Sequence, residues 1–138
     1  MTSDVKAILF LSCIAILSML FQPVLGHAQS NLSEMEQAQT MEQGIFFGGG
    51  ATQYDQCVAR GFITPGNQKA EDVVRSFIKR SEQSAQNEKA KESFVYFQKG
   101  WDLVKQKIVE LGPKHWEDNC AEINRIWNNY EKILNSKQ

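Results

Sequence analysis

Two consecutive helical stripes constrain this chain more than any other feature. Phe94, Phe97, Trp101, Val104, Ile108 and Leu111 are separated by 3, 4, 3, 4 and 3 positions, and Trp116, Cys120, Ile123, Trp127, Tyr130 and Leu134 by 4, 3, 4, 3 and 4. At 3.6 residues per turn, such spacing lays each set along one side of a helix, and an apolar side must be covered. Ile126 and Ile133 widen the second stripe. Gly112-Pro113 lies between the two and stops the first, so helices are predicted over about 88–111 and 115–134. So tight a turn predicts that they pair as an antiparallel helical hairpin.

Upstream, Ala70, Val73, Val74, Phe77 and Ile78 predict a further helix, with Glu71 and Arg75 as an i,i+4 pair on its wet side. Thr64-Pro65-Gly66-Asn67 breaks the chain before it, and Thr64 or Asn67 is the expected cap. A short helix over 51–60 carries Tyr54, Cys57 and Val58 on one face, with Gly61 as its stop signal. No strand pattern has comparable strength. The expected fold is therefore all-α: a small antiparallel bundle of three long helices and one short one, occupying 51–138.

The first thirty residues speak to compartment. Lys6 precedes an apolar run from Ala7 to Phe21, interrupted by Ser12, Cys13 and Ser18, and the run leads to the small-x-small triplet Gly26-His27-Ala28. That order is an export signature, so 1–28 is read as a signal peptide cleaved after Ala28, or nearby after Gly26. Two rival readings are weaker. The span from Ala7 to Val24 reaches the lower limit for an uncleaved membrane anchor. Phe10-Leu11-Ser12-Cys13 loosely resembles a lipid-attachment site, but most of the apolar run would then follow the modified cysteine. The expected location is periplasmic or secreted, with no stable membrane insertion after cleavage.

Removal of Cys13 leaves Cys57 and Cys120, and an even count in an oxidising compartment predicts a disulfide between them. Closing a loop of roughly sixty residues stabilises a fold by about 4 kcal/mol on the chain-entropy model. The whole chain has 15 basic and 16 acidic residues, and the signal takes one of each. A near-neutral remainder lacks the concentrated basic patch that nucleic acid requires. Its length suits one domain.

Residues 29–50 read differently from the rest. Gln29 to Gln43 is rich in Gln, Glu, Ser and Asn, the composition of a frayed helix or a disordered tail. Gly44-Ile45-Phe46-Phe47-Gly48-Gly49-Gly50 follows. No Gly-Lys-Ser/Thr comes after it to make a phosphate loop, so it reads as a flexible hinge. Ile45, Phe46 and Phe47 have no evident place in a four-helix core of this size. If exposed, they form an apolar patch of the kind that binds a partner.

Catalytic signatures are missing: the sequence contains no Gly-x-Ser-x-Gly, Cys-x-x-Cys or His-Glu-x-x-His. His115, at a helix start, reads as a surface or capping residue. A haem held by Met35 or Met41 with His115 is disfavoured, since the histidine sits at a helix end and both methionines lie in the weakest segment. Acid–base chemistry would have to use scattered carboxylates such as Glu92, Asp102 and Glu122. No catalytic, metal or cofactor site is therefore expected. The sequence points instead to an exported, non-enzymatic interaction protein (an inhibitor, immunity factor, adaptor or chaperone-like module) whose partner is another protein. The alternative is a carrier of a small apolar ligand or haem, should the bundle enclose a pocket.

Overall fold

Ser33 opens the first helix. Its hydroxyl accepts from the Glu36 N–H at 3.2 Å, while the Glu36 carboxylate accepts from the Ser33 N–H at 3.1 Å. This reciprocal pair satisfies donors that a helix start leaves open. In the computed structural model, which describes residues 30–136, the chain then stays helical through α1 (Glu34–Gln43), a π-helical turn (Gly44–Gly48) and α2 (Gly49–Ala59). Gln43, Gly44, Gly48 and Gly49 all keep right-handed helical angles. Residues 34–59 are thus one continuous rod.

The rod corrects the expectation of a glycine hinge, and of the two readings of Gln29 to Gln43, frayed helix or disordered tail, residues 34–43 take the helical one. The expected short helix over 51–60 is its final portion. The physical reason is a close crossing that the sequence could not display. A Cβ at Gly44 would lie 1.9 Å from the Phe97 carbonyl oxygen, and one at Gly100 would lie 2.0 Å from that of Met41. Two helix backbones touch there, and only glycine permits it. Close by, the Trp101 ring fills the space over Gly48, 2.2 Å from where its Cβ would be. The rod does end where expected: Gly61 takes φ +84°, its N–H donates to the Val58 carbonyl, and the Phe62 N–H donates to that of Cys57, which is a Schellman stop.

Three helices follow: α3 (Ala70–Ser84), α4 (Glu88–Ile108) and α5 (Pro113–Ser136). Asn87 caps α4 by accepting from the Ala90 N–H at 2.7 Å, and Pro113 occupies the first position of α5, where a missing N–H costs nothing. The cap of α3 comes from elsewhere. Neither Thr64 nor Asn67 supplies it; instead the Asp55 carboxylate, on the rod, accepts from the Ala70 and Glu71 N–H groups at 2.8 and 2.9 Å.

Contact order gives the topology. Glu36 meets Lys89, Gly44 meets Phe97 and Gly48 meets Trp101, so rod and α4 run in the same direction. Gly50 meets Tyr130, Tyr54 meets Trp127, and Cys57 is bonded to Cys120, so α5 runs against the rod. Glu71 reaching Lys105 and Arg75 lying over Trp101 set α3 against α4. Successive helices therefore alternate, as expected. Their packing does not follow a simple hairpin, because α4 and α5 scarcely approach each other and the rod lies between their stripes. The bundle is collapsed along the diagonal that joins rod and α4.

The core fills this arrangement. Trp101, Trp116 and Trp127 are all buried, together with Met41, Ile45, Val74, Phe97, Val104, Ile108, Ile123 and Leu134. The Cys57–Cys120 disulfide, with both sulfurs buried and a Cα–Cα distance of 5.7 Å, ties the rod to α5. The expected signal peptide, residues 1–28 with Cys13, lies outside the described residues. No described helix is long and apolar enough to cross a membrane.

Candidate functional site

Because α5 runs against α4, the first residue of one stripe and the last of the other come to the same end of the bundle. Packing does not close there. Phe47 from the rod, Phe77 from α3, Phe94 and Phe97 from α4, and Ile133 and Leu134 from α5 line a groove of about 410 Å³, with Thr40, Gln43 and Ser93 along it. Phe97 and Leu134 form the buried floor, whereas Ile133 stays 43% exposed at the rim. An edge-on contact with Tyr130, at 5.1 Å between ring centres and 61° between planes, fixes Phe47 in place.

The polar groups of the groove are mostly committed to their own helices. The Thr40 hydroxyl donates to the Glu36 carbonyl at 2.8 Å, and the Ser93 hydroxyl to that of Ala90 at 2.6 Å. No titratable side chain lines the groove. Its chemistry is that of a surface for burying apolar atoms, with aromatic walls and one amide, Gln43, free to orient a guest.

Of the three residues expected to bind a partner, the structure brings only Phe47 to this groove. Ile45 is 1% exposed and belongs to the core, and Phe46 and Phe47 are partly buried against it. The segment is therefore not a contiguous exposed patch, because the rod turns these residues inward at the glycine crossing. Phe77, Phe94 and Ile133 carry the spacing of core-stripe residues and yet line this groove. The available signal was their position: Phe94 opens its stripe, and Ile133 lies at the edge of the other.

A second cluster is structural. The Trp101 Nε1–H donates to the Thr52 hydroxyl at 2.9 Å, that hydroxyl donates to Glu71 at 2.9 Å, and Lys105 pairs with the same carboxylate at 2.8 Å. The expected i,i+4 pair with Arg75 forms at 3.7 Å, but Glu71 is turned inward from the wet side of α3, with only 16% of its side chain exposed. Desolvation pushes its pKa up, but Lys105, Thr52 and Arg75 together outweigh this and hold the carboxyl below its ordinary range. Asp55 is shifted upward by its burial, against the pull of the two N–H groups it caps.

The remaining candidates do not converge. Glu92 accepts from the Asn31 N–H and the Ser30 hydroxyl, Asp102 accepts from Gln98, and Glu122 pairs with Arg125, each at a separate place. The Asn119 side chain donates to the His115 carbonyl at 2.8 Å, and the His115 ring lies edge-on to Trp116, near the disulfide end. Met41 sits on the rod sixteen residues before Cys57, a helical distance of roughly 24 Å, so it cannot share a haem with His115. Met35 is farther still and is 71% exposed. Among the described residues no group of three or more His, Cys, Asp or Glu side chains is placed to hold a metal ion. No family model matches the chain, and neither the curated proteins nor the solved structures contain a match to it.

Proposed function

We propose that this chain is an exported, non-enzymatic interaction protein that engages apolar side chains of a partner protein in its phenylalanine-lined groove. One observation carries the reading: four phenylalanines and an exposed isoleucine surround a groove lined by no titratable side chain, and its two hydroxyls are bound to their own helices. The buried Cys57–Cys120 bond supports a periplasmic or extracellular setting, where such bonds persist. It also holds the scaffold on which the groove is built.

A second reading has its own support. A volume of about 410 Å³ falls within the range of small-molecule sites, roughly 300–1,000 Å³, so the groove also suits a small apolar ligand. One experiment separates the two. A photo-crosslinking amino acid replaces Ile133 in the full-length precursor, and the protein is irradiated in its native compartment and weighed by mass spectrometry. A protein-sized adduct that disappears in Phe94→Ser supports the partner reading. An adduct of a few hundred daltons, or native spectra showing a released small molecule, supports the carrier. No adduct at Ile133 together with turnover of any substrate overturns both.

A further inference from the structure

A smaller cavity lies on another side of the bundle, where the rod, the start of α3 and α5 come together. It measures about 220 Å³ and is lined by Tyr54, Trp127, Glu131 and the polar loop residues Asn67 and Gln68, among others. Trp127 and Glu131 are one turn apart on α5 and so share a face. Tyr54 reaches them from the rod, its ring 6.0 Å from that of Trp127 and inclined at 43°.

The charges of this cavity are one-sided. Glu131 is its sole lining carboxylate, and no lysine, arginine or histidine lines it. Among the described residues Glu131 makes no ion pair. Its field is felt at the neighbouring hydroxyl: Tyr54 is shifted upward, by burial first and then by the negative charges of Glu131 and Asp55. Asp55 spends its own carboxylate on the start of α3. What remains is an unpaired anion beside two aromatic rings, with amide groups at the rim.

We propose that this cavity binds a small organic ammonium group. A carboxylate supplies the counter-charge, and the negative faces of aromatic rings attract a cation that carries methyl or methylene groups. Neither the carboxylate nor the rings would hold a neutral guest of the same shape equally well. The volume lies below the usual range for drug-sized ligands, which limits the guest to a headgroup: a free methylated amine or a protonated alkylamine. The proposal is independent of the phenylalanine groove, with which the cavity shares no lining residue.

The test uses choline, n-butylammonium and 3,3-dimethylbutan-1-ol, the last being the uncharged carbon analogue of choline, titrated into the disulfide-bonded protein. Binding is followed by tryptophan fluorescence and by chemical shifts of the Tyr54 and Trp127 rings. At least one of the two cations is expected to bind, and the neutral analogue to bind at least about tenfold more weakly. Which cation binds more tightly distinguishes a methylated from a primary ammonium guest. Glu131→Gln, on a half-exposed surface of α5, should keep the parent circular dichroism and melting temperature while losing at least about tenfold in affinity. Tyr54→Leu should weaken binding as well. Equal binding of the neutral analogue, full affinity in Glu131→Gln, or no shift at these rings with either cation overturns the proposal.

Discussion

A methyl group placed on Gly44 would sit 1.9 Å from the Phe97 carbonyl oxygen, and one on Gly100 would sit 2.0 Å from that of Met41. Neither obstacle is a flexible side-chain tip that could swing aside; both are backbone, so the two helices themselves must separate. Helix propensity alone gives the opposite expectation, since alanine in a helix is about 1 kcal/mol better than glycine. Overpacking of this kind costs typically 1–3 kcal/mol and sometimes more. Gly44→Ala and Gly100→Ala should therefore each lose about 3 kcal/mol in chemical denaturation. Gly66→Ala, at a position with nothing within 4 Å, should stay within about 0.5 kcal/mol of the parent. Alanine variants at 44 and 100 as stable as the parent would mean that the backbones do not touch. The sequence showed these glycines plainly and still misled, because a glycine run in a break and one at a helix crossing look alike until the partner helix is known.

Among the helices, the polar tie from Trp101 through Thr52 to Glu71 and Lys105 links the rod, α3 and α4 at one level. Glu71 carries a pH signature. Its folded-state pKa lies below the ordinary glutamate value of 4.5, so its contribution is present above that value and is lost as pH falls through the folded one. The parent should thus lose more stability between pH 6 and pH 3 than Glu71→Gln does, as read from denaturation midpoints at both pH values. Asp55 titrates with the opposite sign, since burial raises its pKa, but it is present in both proteins and largely cancels. An equal loss in the two would show that folding does not favour the ionised Glu71. Helix limits were legible where the signal was local: Gly61 and Gly112-Pro113 act through their own backbone or their immediate neighbours. The cap of α3 was not, because Asp55 reaches it from fifteen residues upstream, across a loop whose path no local rule gives.

For the molecule as a whole, the disulfide closes a separation of 63 residues between the rod and α5. On the chain-entropy model its loss costs about 4 kcal/mol, which for a domain of this size lowers the melting temperature by on the order of 20 °C. The double variant Cys57→Ala, Cys120→Ala should show that drop by calorimetry. In the native protein the bond should resist mild reductant, since both sulfurs are buried. Free thiols in native material alkylated under denaturing, non-reducing conditions would remove this support. The sequence by itself determined the helical class, the two stripes and the stop signals, because periodicity and turn chemistry are properties of the chain alone; of its three cysteines, the structure pairs Cys57 with Cys120. Only the tertiary structure decided which helices touch, that the glycine run belongs to a rod and not a hinge, and where aromatic residues are left open to a guest. Those outcomes depend on how closely backbones far apart in sequence can approach, and spacing along one strand of residues carries no measure of that distance.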